Sequence, residues 1–314
     1  MTRSARIVGW GTALPEKVVT NKDLESSLDT TDAWIVERTG IRERRIGGTT
    51  SGLAIEAAQA AMTSAGVGPE DIDLLVLCTT SPDQQIPATA CTVQNELGLT
   101  CGAFDLNAAC SGFVYGLVAS HGFVATGMNR ILLVGAETMS RVTNWDDRGT
   151  AILFGDGAAA VVLEATEVDS PADSHLLASD LGADGAARDI LYADIGSTMI
   201  MDGKEVFRRA IRAVIATTGK TLAAAGKTVA DVDLFVPHQA NVRIVDGANL
   251  KLGFPPERIV MNVERTGNTS AASVPLALAE AAQEGRLSPG DLVLLVGFGA
   301  GMTWASALIR WDPR

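Results

Sequence analysis

Residues 65–77, Ala65-Gly66-Val67-Gly68-Pro69-Glu70-Asp71-Ile72-Asp73-Leu74-Leu75-Val76-Leu77, pass from a small-residue turn into an apolar run. Residues 225–237, Ala225-Gly226-Lys227-Thr228-Val229-Ala230-Asp231-Val232-Asp233-Leu234-Phe235-Val236-Pro237, repeat the pattern 160 residues later. Ala-Gly, two aspartates and Leu-x-Val keep their spacing in both copies. A second pair agrees at nearly the same offset: NRILLVG at 129–135 is echoed by DLVLLVG at 291–297. Ala, Gly and Val are common enough to match once by accident; two ordered matches at one offset indicate an internal duplication. The short apolar runs at 74–78, 131–134, 234–236 and 292–296, each bounded by Gly, Asp or Asn, read as buried strands. Alanine-rich stretches of helical length lie between them. Within 205–225, Val206, Phe207, Ala210, Ile211, Val214 and Ile215 fall on one face at 3.6-residue spacing, with Arg208, Arg209 and Arg212 toward the other. Strands alternating with helices argue for an α/β fold. The expected organisation is two similar halves, 1–165 and 166–314. The junction is expected in the polar stretch 164–188, where Ser170, Pro171, Asp173, Ser174 and the segment 182–185 suit a connection or cap. In such a protein the carboxyl ends of equivalent strands meet near the pseudo-twofold axis, so one site built from both halves is expected.

Composition narrows the partners. The 314 residues hold 25 Lys plus Arg against 37 Asp plus Glu, a net charge of -12, which disfavours nucleic acid and anionic membrane. Aromatic residues are 5% of the chain while glycines number 32, so small residues rather than stacking platforms shape any site. Residues 1–15 lack the features of a secretory signal, and no stretch stays apolar for a bilayer's thickness, so a cytoplasmic location is expected. Four cysteines without CxxC spacing or a histidine cluster predict free thiols and no metal site.

Cys110, in Asn107-Ala108-Ala109-Cys110-Ser111-Gly112, precedes an apolar segment, 113–127, that reads as a fully buried helix. A thiol at a helix amino terminus is expected to have a lowered pKa, and its small neighbours leave room for an acyl group; inert packing is the alternative. Cys78, Cys91 and Cys101 read as buried small hydrophobes. His121 falls mid-helix and His175 in the polar connection, whereas His238 follows a strand in VPHQAN, where α/β sites are built. Asn268 sits in RTGNTSAAS, a polar turn leading into a helix over 274–284. A satisfied core histidine and a helix cap are the plain alternatives for these two. Gly297-Phe298-Gly299-Ala300-Gly301 offers backbone N–H groups at a strand end, or simply a hairpin turn.

AACSGF around Cys110, VPHQAN around His238, GNTSAAS around Asn268 and GFGAGMTW near the carboxyl end closely resemble the signature segments of β-ketoacyl-acyl carrier protein synthase III, the initiating condensing enzyme of dissociated fatty acid synthesis. The resemblance runs nearly end to end, from TTDAWIVERTGIRERRI through DDRGTAILFGDGA to the last strand. It implies the thiolase fold, duplicated halves in five αβαβα layers, a homodimer, and no cofactor, acyl-CoA being a substrate. It implies that Cys110 carries an acyl group from a short-chain acyl-CoA, while His238 and Asn268 stabilise the enolate formed when malonyl-acyl carrier protein loses CO2. Backbone N–H groups of Cys110 and Ala300 would form the oxyanion hole. Trp34, Arg38 and Arg148 match the residues that hold CoA; Trp34 and Arg38 share a helix face, which also suits a plain cation–π pair. Arg208, Arg243 and Lys251 match basic residues that grip the acidic carrier protein.

Three departures stand out. Ala300 replaces a glycine, which adds strain if the turn needs positive φ. Ile86 replaces a phenylalanine of acetyl-preferring members at an acyl-pocket position contributed across the dimer interface, and Leu250 replaces a basic residue of the carrier-protein patch. Competing readings are a same-fold acyltransferase that delivers acyl groups to a hydroxyl or amine, a non-catalytic partner subunit, and a cysteine protease. The first has no need of the His238 and Asn268 pair, the second typically lacks the cysteine, and the third has no use for GNTSAAS.

Overall fold

A computed structural model describes residues 2–170 and 173–313. The repeated segments fold into the same unit twice. Leu74–Cys78 and Leu234–Pro237 are strands, each preceded by a 3-10 turn, Pro69–Asp71 or Val229–Asp231. The conserved spacing of aspartates has a mechanical reason. Asp71 Oδ2 accepts the Gly68 N–H at 2.9 Å and Asp231 Oδ2 accepts the Thr228 N–H at 2.8 Å, closing each turn. Asp73 Oδ2 accepts the Arg130 N–H at 3.0 Å and Asp233 Oδ2 the Leu292 N–H at 2.8 Å, so each second aspartate pins the start of the adjacent parallel strand. Those neighbours are Arg130–Thr138 and Leu292–Gly299, the second pair of matched segments.

The first sheet has the spatial order Thr2–Ala13, Asp156–Val168, Arg130–Thr138, Leu74–Cys78, Gly102–Leu106; the second has Leu234–Pro237, Leu292–Gly299, Thr303–Arg310, Leu176–Ala183. In the second sheet the place of a fifth strand holds only a parallel bridge between Phe235 and Ile259. Side chains alternate across each strand and so divide between layers. Leu74, Val76, Leu234, Val236, Val293 and Leu295 face inward onto two central helices, Gly112–Ala125 and Ser273–Gln283, through Phe113, Leu117, Val274 and Leu278. Leu75, Leu77, Leu132 and Val134 face outward onto Ala54, Ala57, Ala58 and Ala61 of the helix Thr50–Ala65. Phe235, Leu294 and Val296 do the same beneath the helices Gly203–Ala224 and Val242–Leu252. The result is helix, sheet, helix, sheet, helix. Burying each of these Val, Leu and Phe side chains contributes about 1.5–3 kcal/mol, and both faces of both sheets are used.

Four expectations change. The polar junction is shorter than read from composition. Leu176–Ala183, which includes Gly182, is an edge strand paired with Thr303–Arg310, its half-exposed pattern hiding it among polar residues; Pro171 lies outside the described residues. The first sheet extends to Val168. Cys91 is exposed and Cys101 half-buried, because they lie on and just beyond the outer face of the helix Thr89–Glu96. The central helix at 112–125 is buried along most of its length but exposes Gly122 and Ala125. Among the described residues no helix is long and apolar enough to cross a membrane.

The halves meet closely. A Cβ on Gly135, in the first sheet, would lie 2.6 Å from the Ala271 carbonyl oxygen and 3.1 Å from Pro275 Cγ, both of the second half. Gly135→Ala is therefore expected to destabilise the protein by about 1–3 kcal/mol in urea unfolding. Gly122→Ala, where an added Cβ meets nothing within 4 Å, should be neutral or stabilising by up to about 1 kcal/mol.

Candidate active site

Cys110 occupies the 3-10 turn Ala109–Ser111 at the head of the first central helix. Ala109 is held at φ 51, a left-handed conformation rare for alanine, which presents the next residue to the interior. The hairpin of the second half holds the turn in place. Ser111 Oγ donates to Ala108 O at 2.6 Å and approaches Thr303 Oγ1 at 2.8 Å. A Cβ on Gly299 would stand 2.5 Å from the Cys110 nitrogen, and one on Gly297 2.7 Å from Ser111 Cα, so only glycine permits this approach. Positive φ in this loop falls on Gly301 and not on Ala300, so the alanine introduces no left-handed strain. Cys110 lies deep but keeps accessible surface toward a cavity. Burial pushes its thiol up to about 12, and the nearby Glu137 carboxylate adds to the rise. The lowering expected from the helix terminus is outweighed by desolvation, so the resting thiol is protonated.

His238 follows the strand Leu234–Pro237, with its N–H bonded to Val296 O at 2.7 Å and its ring edge-on to Phe298 at 4.9 Å between centroids. Neither ring nitrogen has a partner among the described residues, so it is not a satisfied core histidine. Burial pushes its pKa down to about 3, leaving a neutral imidazole at any physiological pH. The adjacent Gln239 fixes the loop: its Oε1 accepts the Asn262 and Val263 N–H groups at 2.7 and 3.0 Å, and its Nε2 donates to Val260 O at 3.1 Å. Asn268 is anchored by its backbone to Leu153 and Gly155 of the first half. Its Oδ1 accepts the Ser270 N–H at 2.9 Å, an Asx turn rather than a helix cap, which leaves Nδ2 as the donor available to the cavity.

One cavity of about 880 Å³ is lined by Cys110, His238, Asn268 and Ala300, and also by Trp34, Arg38 and Arg243. Thr31 caps the helix Asp32–Thr39 and sets Trp34 and Arg38 side by side. The Arg38 and Arg148 guanidinium carbons both sit 4.5 Å from the Trp34 ring centroid, and Arg148 also donates to Asp29 O at 2.7 Å. Arg208, Arg243 and Lys251 are exposed on two neighbouring helices, with Arg208 already paired to Glu205 at 2.7 Å and Arg243 over Phe207. Ile86 is 82% exposed and does not line this cavity in its own chain; Leu250 is 86% exposed. Among the described residues no group of three His, Cys, Asp or Glu side chains is arranged to hold a metal.

Sequence reading missed several residues. Ser270 stood inside the quoted GNTSAAS, but nothing marked its φ of 49. Glu137 closes the strand Arg130–Thr138 and is fully buried, its only signal a carboxylate at the end of an apolar run. Met139, Leu191, Tyr192, Met199 and Met201 complete the apolar wall.

Two duplicated α/β halves enclosing a recessed cysteine, a neutral histidine and an oriented asparagine define the thiolase-fold class of enzymes. The profile described as 3-oxoacyl-[acyl-carrier-protein] synthase III matches residues 104–185, and that of its C-terminal region matches 222–311. The β-ketoacyl-[acyl-carrier-protein] synthase III of Erythrobacter litoralis is 51% identical, over 98% of this chain and 99% of that protein. The Rhizobium meliloti enzyme of the same name is 48% identical, over 99% and 100%. The crystal structure of 3-oxoacyl-[acyl-carrier-protein] synthase III from Aquifex aeolicus superposes with a TM-score of 0.94 at 42% identity, covering 98% of this chain and 100% of that one. The priming β-ketosynthase of the R1128 polyketide pathway gives 0.93 at 36% identity, over 100% and 98%. The chain belongs to the β-ketoacyl-acyl carrier protein synthase III family.

The raised thiol pKa sets a testable pH dependence. Labelling of Cys110 by iodoacetamide, followed by mass spectrometry, should rise about tenfold per pH unit from pH 7 to 9 as the thiolate fraction grows. A plateau near neutral pH would instead mark a thiol lowered by the helix terminus.

Proposed function

We propose that this protein condenses a short-chain acyl-CoA with malonyl-acyl carrier protein to give 3-oxoacyl-acyl carrier protein and CO2, initiating fatty acid or polyketide synthesis. Cys110 Sγ attacks the acyl thioester, the new S–C bond forms, and CoA leaves with the thiol proton. The N–H groups of Cys110 and Ala300 face the oxyanion, each donor contributing roughly 3 kcal/mol in comparable sites. Malonyl thioester then enters the same cavity. As its C–C bond to carboxylate breaks, the electron pair moves onto the thioester oxygen, where the neutral His238 ring and Asn268 Nδ2 donate. The enolate carbon attacks the acyl carbonyl, a C–C bond forms, and Cys110 is released.

The observation that carries the reading is the pair of uncommitted neutral donors. Both His238 nitrogens are unpartnered among the described residues, and the Asn268 carbonyl already accepts the Ser270 N–H, which leaves Nδ2 to donate. Such a pair suits a developing enolate, and the chemistry needs no metal or organic cofactor. Trp34 with Arg38 and Arg148 would hold CoA at the mouth, where a base inserted between Trp34 and Arg148 requires that guanidinium to withdraw from 4.5 Å to roughly 7 Å. Arg208, Arg243 and Lys251 would meet the carrier protein, a contact weakened by salt. We read the two halves as 1–165, with the nucleophile, and 166–314, with His238 and Asn268, the last strand of the first sheet running three residues past that division. We also read the working form as a homodimer, in which the exposed Ile86 completes the partner's acyl pocket.

Cys110→Ala should abolish acyl transfer from acyl-CoA. Asn268→Ala should leave Cys110 acylation intact by mass spectrometry while slowing CO2 release from malonyl-acyl carrier protein about 100-fold. Acylation of the native protein without any CO2 release would replace this reading with the acyltransferase one.

A further inference from the structure

Glu137 is a buried carboxylate with no cationic partner among the described residues and no part in the scheme above. Its hydrogen bonds come from both halves. From the first half, Thr79 Oγ1 donates at 3.1 Å, the Thr80 and Ser81 N–H groups at 3.0 Å each, and Ser81 Oγ at 2.5 Å. From the second half, Ser270 Oγ donates at 2.8 Å and the Ala271 N–H at 3.3 Å. Every one of these neighbours donates, and the carboxylate oxygens accept from both halves at once. Burial raises the Glu137 pKa and the donors pull against it.

The second set of bonds leads directly to the site. Ser270 is held in the left-handed region at φ 49, a conformation unfavourable for a residue with a Cβ, and its bond to Glu137 helps to hold it there. With its hydroxyl proton committed to Glu137 and the next N–H bonded to the same carboxylate, the Ser270 peptide is fixed in orientation. Its own N–H then points at Asn268 Oδ1 at 2.9 Å. That last bond decides which end of the Asn268 amide faces the cavity.

We propose that Glu137 is a positioning residue for the decarboxylation half-reaction: through Ser270 it holds the Asn268 amide with Nδ2 directed at the malonyl thioester. This rests on the condensing reading above. Glu137→Gln keeps the shape but sets an NH2 group against a ring of donors, so the Ser270 turn should relax and Asn268 lose its orientation. Ser270→Ala removes the same link with less disturbance of the core.

The test measures two rates in the full-length protein: single-turnover acylation of Cys110 by a short-chain acyl-CoA, and CO2 release from malonyl-acyl carrier protein. In both variants acylation should stay within about fivefold of native while CO2 release falls about 100-fold. Glu137→Asp, which restores the acceptor, should recover most of the loss. Equal loss of both rates in folded Ser270→Ala, or unchanged CO2 release, overturns the inference; if Glu137→Gln fails to fold, Ser270→Ala decides. A native protein that acylates but releases no CO2 refutes the condensing reading itself, whereas native release matched by both variants refutes this inference alone.

Discussion

Everything at the site depends on backbone meeting backbone across the pseudo-twofold axis. The nucleophile turn belongs to the first half, yet the hairpin that confines it and the loop that carries Asn268 belong to the second. Gly297 and Gly299 let the hairpin come within contact of Cys110 and Ser111, and Gly135 lets Ala271 rest on the first sheet. A side chain at any of these places would put its Cβ 2.5–2.7 Å from the facing backbone, closer than van der Waals contact allows, so the halves would have to part. The large interior cluster shared by both sheets supplies the free energy for that approach.

The site so formed is electrically quiet. His238 is neutral, Cys110 is protonated at rest, and the one buried carboxylate nearby is surrounded by donors. A cavity of this kind stabilises charge only where fixed dipoles point, which suits a reaction whose negative charge first appears on a thioester oxygen. Mobile charge is kept at the surface, where Arg38, Arg148, Arg208, Arg243 and Lys251 are all exposed. Much of it is already engaged, Arg208 with Glu205 and Arg38 and Arg148 with Trp34.

The duplication was legible because its aspartates do identical work in both copies, and work that recurs leaves a spacing that recurs. Strands such as Leu74–Cys78 were legible because a strand buried on both faces must be apolar throughout. The edge strand Leu176–Ala183 was not, since none of its residues is fully buried and Ser179, Leu181 and Ala183 face water, so it carries no apolar run distinct from a loop. Cys110, His238 and Asn268 stood out through their surrounding motifs. Glu137 and Arg44 did not: Arg44 is fully buried while its neighbours in RERR are not, and only the fold reveals that its guanidinium meets the Asn21 side chain and the Ile152 carbonyl. Burial of a charged group is a property of three dimensions, and one sequence does not display it.

The depth of Cys110 has a chemical consequence beyond acyl transfer. Peroxides and other diffusing oxidants attack thiolates, and a thiol held near 12 offers almost none of that form. The sulfur on which turnover depends is thus shielded from sulfenic acid chemistry while it waits for substrate. Cys91, exposed on its outer helix, is the sulfur that such reagents meet first.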